Sequence, residues 1–288
     1  MRYAIITNPA SGKMSADQKR SVLAKPAEIL NAEIHGLDTV DAEDFGQCAR
    51  ELGNKCDVLV AAGGDGTLSD VINAINTEQK TIAYLPLGSG NSMAYALGLK
   101  GTLSNMAMRI KGGKIREYDL IHCDEKRRAF MSSIGLEGSV LRLRDQYLAK
   151  GTAGFKVYLR AVLKAYFREY KRLLAEITVD GVTCTVRNLL TLMIFKQPYY
   201  GYGIKVVPAA RFDDALLHIL SINSGLLGST IGVVTSLTIG NCVGQYRTGR
   251  EMAVKLERPV MLQLDGNMGW EAEAFNFRVL PKAMRIKC

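Results

Sequence analysis

Three short glycine-bearing segments hold the residues best suited to chemistry: Asn8-Pro9-Ala10-Ser11-Gly12-Lys13, Gly63-Gly64-Asp65-Gly66-Thr67 and Gly88-Ser89-Gly90-Asn91. In the second, an apolar run ends in three glycines around one carboxylate and a helical pattern follows. That gives close backbone approach and free N–H groups where a phosphate can sit. In this reading Gly63, Gly64 and Gly66 let the backbone reach phosphates. Asp65 helps to hold Mg²⁺ or orients the phosphate groups, and Thr67 caps the helix. A single such turn reads equally well as a tight connection with no ligand, so the weight lies on three of them in succession. The first segment lacks the Walker A spacing, and Lys13 taken alone is a solvated lysine.

Each turn needs a strand to present it. Tyr3 to Thr7, Ala32 to Leu37, Asp57 to Ala62 and Thr81 to Leu85 read as strands. Between and after them, Ala42 to Leu52, Leu68 to Ile75 and Ser92 to Leu97 have helical patterns, and Pro26 interrupts or restarts an earlier helix. Strands separated by helices predict a parallel sheet covered on both faces, with ligands at the carboxyl ends of the strands, where all three glycine turns fall. After about Asp119 the rhythm changes. Glu176 to Val179, Leu189 to Phe195, Leu216 to Ile222, Val260 to Leu264 and Phe275 to Leu280 are short strand-like runs separated by turns, as in an antiparallel sandwich or barrel. The expected organisation is an α/β three-layer domain over residues 1–122 and a β-sandwich over residues 123–288, with the last residues able to return to the first domain.

Composition narrows the partners. The chain has 288 residues, 48% of them hydrophobic, and 37 Lys and Arg against 28 Asp and Glu give a formal charge of +9. An anionic partner is favoured, whether nucleotide phosphate or membrane surface. No aromatic or helix-turn-helix module accompanies the basic residues, so nucleic acid is not expected. The six cysteines show no metal or disulfide spacing, which fits a reducing cytoplasm. His35, His122 and His218 show no triad or metal spacing. No uncharged apolar run approaches the roughly 18 residues of a spanning helix. Ser224 to Val243, the longest candidate, is rich in Gly, Ser and Thr and reads as buried or loop-linked. From Phe155 to Leu174 a helical pattern places Lys156, Arg160, Lys164, Arg168 and Arg172 four residues apart, with apolar and aromatic residues between. Such a basic amphipathic helix suits an anionic membrane, or else is a solvated face on a helix packed against the second domain.

Taken in order, Asn8 to Lys13, Gly63 to Asn73 and Pro86 to Asn91 resemble the diacylglycerol kinase catalytic-domain family, which includes soluble bacterial lipid kinases and the sphingosine and ceramide kinases. That family also places an Asp-Gly-Glu motif near its C-terminus, where this chain has Asp265-Gly266-Asn267. The resemblance implies ATP bound between an α/β domain and a β-sandwich, with a lipid hydroxyl as acceptor. It places Asn8, Ser11, Gly12, Lys13, Thr39, Gly63, Gly64, Asp65, Gly66, Thr67, Gly88, Ser89, Gly90 and Asn91 at the nucleotide and makes Asp265 the general base. Asp119, Ser92 and Asn267 are implied in the surrounding acceptor network. Peripheral membrane contact and a homodimer are compatible with this picture.

From the residues alone, Asp265-Gly266 reads as a type I′ hairpin turn, and Asp119 reads equally as a buried structural carboxylate. The resemblance expects the Asp265 side chain at the cleft mouth. Departures also count. Asn267 stands where the family has Glu, Ser92 where bacterial members often have Asp, and Asp70 where Glu is usual. In Pro208 to His218, Ala215 replaces a Gly and His218 an Asp, which weakens the case for a structural metal at Asp213 and Asp214. Two other readings stay open: an NAD kinase-like enzyme, which shares Gly-Gly-Asp-Gly-Thr, and a non-catalytic nucleotide- or lipid-binding relative.

Overall fold

The computed structural model describes residues 1–149 and 155–288. The chain forms two compact units. One comprises Met1–Leu120, Tyr199–Gly203 and Pro281–Cys288, and the other Ile121–Pro198 and Ile204–Leu280.

The first unit alternates β1 (Tyr3–Ile6), α1 (Ala16–Leu30), β2 (Ile34–His35), α2 (Ala42–Lys55), β3 (Val58–Gly63), α3 (Asp65–Ala74), β4 (Thr81–Pro86), α4 (Ser92–Ala96) and α5 (Leu103–Gly112). The strands pair in parallel in the order β2-β1-β3-β4, and Arg285 and Ile286 at the chain's end extend the sheet beside Thr81 and Ile82. Every residue of β3 is buried. Such uniform burial is why it reads as a continuous apolar run instead of an alternation. Ser15 opens α1 with a capping box to Gln18. Pro26, expected to interrupt or restart this helix, lies inside it with its ring buried. Val22, whose carbonyl loses its donor, is exposed, so the missing bond carries little cost.

In the second unit the chain runs through β5 (Ile115–Cys123, entering from the first unit), β6 (Arg127–Ala129), β7 (Met131–Gly135), α6 (Leu136–Ala149), α7 (Phe155–Lys164), a π-turn (Ala165–Glu169), β8 (Leu173–Val179), β9 (Val182–Leu189), β10 (Thr191–Phe195), β11 (Leu217–Ile222), α8 (Leu226–Ser236), β12 (Gln245–Gly249), β13 (Glu251–Leu264) and β14 (Asn267–Lys287). β12, β11, β10, β7 and the second half of β13 form one antiparallel run. The first half of β13 pairs with β8, which pairs with β9. Register shifts between Lys255 and Val260 and between Met261 and Gln263 let this strand pass from one layer to the other. Leu192, Ile194, Ile219 and Leu262 from one layer meet Ala175, Ile177, Val254 and Phe277 in a single core.

The helical pattern expected to reach Leu174 stops at Glu169. A π-type turn closes it, with Tyr170 N–H donating to Ala165 O, and Leu173 and Leu174 already belong to β8. Arg172 is thereby off the helix, its guanidinium held by the carbonyls of Asn188, Asn223 and Ser224. The side chains of Phe155, Lys156 and Tyr158 lie outside the described residues. Ser224 to Val243, expected to be buried or loop-linked, instead contains α8, whose large side chains face outward.

Candidate functional site

Register brings four strand ends together. Ile6 lies beside both His35 and Ala61, and Gly63 lies beside Pro86, so the segments after β1, β2, β3 and β4 leave the sheet side by side. The turns touch. Leu87 and Gly88 N–H both donate to Gly63 O, at 2.8 and 3.3 Å. A Cβ on Gly88 would fall 2.5 Å from Gly64 Cα, and one on Gly63 would fall 2.4 Å from Thr67 Oγ1. Gly88 is therefore required by turn-on-turn packing and Gly63 by the closeness of α3's first turn, before any ligand is considered.

The first turn is tied by Asn8, whose carbonyl accepts from Ser11 N–H and Ser11 Oγ at 3.2 and 2.9 Å and whose side chain accepts from Ala10 N–H. Lys19 holds it from below. This lysine is only 1% exposed, and its Nζ donates to Asn8 O at 2.6 Å and Pro9 O at 2.9 Å. Lys13, by contrast, is exposed. Thr39 donates its hydroxyl to Gly36 O at 2.7 Å in the turn after β2.

Gly64 is the N-cap of α3 and supplies no side-chain cap. Thr67, expected to cap this helix, is instead its third residue and is 3% exposed, its hydroxyl without a hydrogen-bond partner. The first-turn N–H groups of α3 have no intrahelical acceptors. Open donors with an unpartnered hydroxyl beside them fit an anionic oxygen, as in a nucleotide phosphate.

Asp65 accepts Ser92 N–H at 2.7 Å on one oxygen and Met93 N–H at 3.1 Å on the other, and so caps α4 from outside. α4's own N-cap, Asn91, is left-handed and has no side-chain cap bond; it spends its amide on Gly88 O at 2.7 Å and accepts from the buried Tyr84 hydroxyl. Burial pushes the Asp65 carboxyl up, the two N–H bonds acting against it. Mg²⁺ was expected here, but both oxygens face backbone donors, and among the described residues no group of three or more His, Cys, Asp or Glu gathers. A resident, protein-held Mg²⁺ does not fit. Ser92 is fully buried, while Ser89 is exposed.

Sequence reasoning missed one contributor. Tyr199–Gly203 belongs to the first unit, where Tyr202 N–H donates to Gly90 O at 2.8 Å and Tyr199 meets Tyr95 at 5.8 Å between ring centres. Its signal is the run Tyr199-Tyr200-Gly201-Tyr202-Gly203, aromatic and glycine together. Asp119 is 2% exposed and accepts Lys282 N–H at 2.9 Å, tying down the returning C-terminal segment.

In the second unit, Asp265 and Gly266 have φ of 50° and 87° between the paired Leu264 and Asn267, so they form the hairpin turn with two positive φ angles. Asp265 is 0% exposed, which corrects the expectation of a side chain at a cleft mouth: its Oδ1 accepts Phe130 and Met131 N–H at 3.1 and 2.8 Å. Asn267, half-buried, opens β14.

Asp214, weighed above as a candidate for a structural metal, is met by a lysine and a histidine. Lys196, 0% exposed, donates to Asp214 Oδ1 at 2.8 Å and to Leu216 O at 2.6 Å. His218 Nε2 lies 2.9 Å from Asp214 Oδ2, with Nδ1 2.7 Å from the Tyr246 hydroxyl. Burial alone would raise the Asp214 carboxyl, but the Lys196 bond and charge outweigh it and hold it down. The Asp214 carboxylate is thus paired with an ammonium from within the unit.

Comparison with known proteins accords with this geometry. The family described as "Diacylglycerol kinase catalytic domain" matches residues 2–123, and that described as "YegS C-terminal NAD kinase beta sandwich-like domain" matches residues 131–288. A diacylglycerol kinase of Staphylococcus saprophyticus is 25% identical over 280 residues, covering 93% of this chain and 89% of the relative. One from Bacillus subtilis is 24% identical over 283 residues, covering 93% and 90%. A Bacillus anthracis crystal structure described as a diacylglycerol kinase superposes with TM-score 0.71 at 18% identity, covering 99% and 96%. An NAD kinase from Archaeoglobus fulgidus in complex with ATP reaches 0.55 at 12%, covering 99% and 93%. The two structures share the fold. By its family matches along both units, the chain belongs to the diacylglycerol kinase catalytic-domain family and is a phosphotransferase with an alcohol group as acceptor.

Proposed function

We propose that the chain transfers the γ-phosphate of ATP to a hydroxyl of a membrane lipid. The observation that carries this reading is the alignment of the three glycine turns at adjacent strand ends, around a helix N-terminus without a side-chain cap. In this reading the α3 N–H groups and Thr67 hydroxyl receive phosphate oxygens, and Asn8, Ser11, Gly12, Lys13, Thr39 and Gly88 to Asn91 surround the nucleotide. A divalent cation bound to the nucleotide would add charge neutralisation at the phosphates. Phosphoryl transfer asks the protein mainly for positioning, charge neutralisation and a carboxylate to take the acceptor proton late. We assign that last role to Asp265, whose orientation is fixed by the Phe130 and Met131 N–H groups.

The acceptor is a long-chain lipid alcohol of diacylglycerol or sphingoid type, met by a cytoplasmic enzyme at an anionic membrane surface. Leu159, Leu163 and Phe167 are exposed on α7 and its π-turn beside Arg160 and Arg168, which suits that contact. No helix among the described residues is long and apolar enough to cross a membrane. The competing reading, a binding protein without catalysis, rests on the complete burial of Asp265. Labelled ATP with a panel of lipid alcohols decides between them. Transfer by the wild type and at least hundredfold less by Asp265→Asn is expected, on the order seen when a general base is lost. Absence of transfer to every lipid would favour the binding protein.

A further inference from the structure

Helix α8 is turned inside out for a helix in water. Its buried positions are Gly232 and Ser236, with Gly228 half-buried, whereas Leu227 is 77% exposed, Val233 58%, Val234 56% and Ile239, just past its end, 79%. Leu226, Ile231 and Leu237 are exposed as well. A surface helix normally hides its large apolar residues, and a contiguous apolar face left outside marks a binding surface. Its inner face packs closely on the chain that follows it: a Cβ on Gly232 would fall 3.1 Å from Asn241 Oδ1 and 3.4 Å from Val243 Cβ.

Hydrogen bonding identifies the medium this face suits. No charged residue or histidine occurs from Ile219 to Tyr246. Three helix hydroxyls bond to its own carbonyls, Thr230 to Leu226 O at 2.9 Å, Thr235 to Ile231 O at 2.9 Å and Ser236 to Gly232 O at 2.6 Å, and Thr238 just past its end bonds to Val234 O at 3.1 Å. Internal satisfaction of this kind is what a hydrocarbon environment demands, since lipid offers no partners. A protein partner would instead be met by a polar rim with outward donors and acceptors.

Cations stand at both ends of the patch. Arg172 donates to Asn223 O and Ser224 O just before α8. Lys205 clasps its far end, donating its N–H to Ser236 O and accepting from Asn241 N–H through its carbonyl. At about 16 Å, eleven helical residues are about half the length needed to cross a bilayer. We infer that α8 lays its outer face into the headgroup–acyl boundary of an anionic membrane, with the positive charges of Arg172 and Lys205 at its two ends favouring anionic lipid. This deepens the lipid-kinase reading and rests on it for its purpose, since a membrane-seated helix brings the enzyme to an acceptor that does not leave the bilayer.

The test is sedimentation of nucleotide-free protein with vesicles of phosphatidylcholine containing phosphatidylglycerol, and with phosphatidylcholine alone. Wild type should bind the anionic vesicles more tightly, and Leu227→Glu with Val234→Glu should weaken that binding by about tenfold or more. Both positions are exposed, so an unchanged circular dichroism spectrum is expected. Leu227→Trp should show a blue-shifted emission on vesicle addition and quenching by brominated lipid, with the wild type as blank for Trp270. Unchanged vesicle binding by the double variant overturns the inference. So does loss of a wild-type dimer in that variant by light scattering, which would make the face an interface between copies. Phosphate transfer to a water-soluble, short-chain lipid alcohol separates the two claims. Transfer with unchanged vesicle binding by the variant defeats the inference and leaves the kinase; weakened vesicle binding with no transfer by either protein does the reverse.

Discussion

Asp65 receives the Ser92 backbone N–H at 2.7 Å, although the two residues lie on different turns and 27 positions apart. With the Met93 bond at 3.1 Å this carboxylate joins the turn after β3 to the helix after β4. Asp65→Asn turns one oxygen into a donor facing a donor, and should cost about 1–3 kcal/mol of stability. Under the proposed ATP-dependent function it should also raise KM for ATP, because that reading assigns the phosphate donors to the turn Asp65 anchors. Ser92→Ala keeps both bonds, since the donor is backbone, and should leave KM for ATP near wild type. Denaturant unfolding and ATP titration of the two variants check this; an Asp65→Asn protein as stable as wild type would rule out the cap.

Glu137 gives a pH dependence in the other unit. It is 7% exposed at the start of α6, accepts the Thr191 hydroxyl at 2.6 Å, and is pushed by burial from 4.5 up to about 7. The folded state therefore holds a proton that the unfolded chain releases near pH 4.5. Folding stability from this group is greatest below that pH and declines as pH rises towards 7, by about 3 kcal/mol at most. Glu137→Gln mimics the protonated form. The stability difference between variant and wild type should grow in the variant's favour from pH 5 to about pH 7 and then level off, read by urea unfolding. A difference independent of pH would show that Glu137 is not held neutral.

What the sequence made legible was local. Three glycine turns after apolar runs marked the carboxyl edge of the sheet, because a buried parallel strand must be apolar throughout and its tight exit demands glycine. Asp265-Gly266 was legible as a turn for the same reason. Side-chain destinations were not. Nothing in Lys19 or Lys196 distinguishes them from solvated lysines; only the fold puts backbone carbonyls around their ammonium groups. Asp65 carries no mark that its partners are N–H groups of a distant helix and not a metal. The outward face of α8 was illegible because small residues are an ordinary sign of tight packing, and which side of a helix is packed depends on the seat beneath it.

Lys196 yields the last expectation. Its ammonium, within 2.8 Å of Asp214 Oδ1 and 2.6 Å of Leu216 O, supplies a fixed positive charge to this carboxylate. The wild-type unfolding midpoint should therefore be the same in EDTA as in millimolar Mg²⁺ or Ca²⁺. Lys196→Met keeps the apolar stem but leaves a carboxylate and a carbonyl facing each other without a cation. Breaking a buried pair costs about 3–5 kcal/mol; because the Asp214 side chain is 20% exposed, about 2–3 kcal/mol is expected here. Asp214→Asn in that background removes the stranded charge and should restore part of the loss. Thermal unfolding of the single and double variants, with and without divalent cation, measures this directly. A wild-type midpoint that falls on chelation would mean that this site, despite its internal ammonium, still holds a metal.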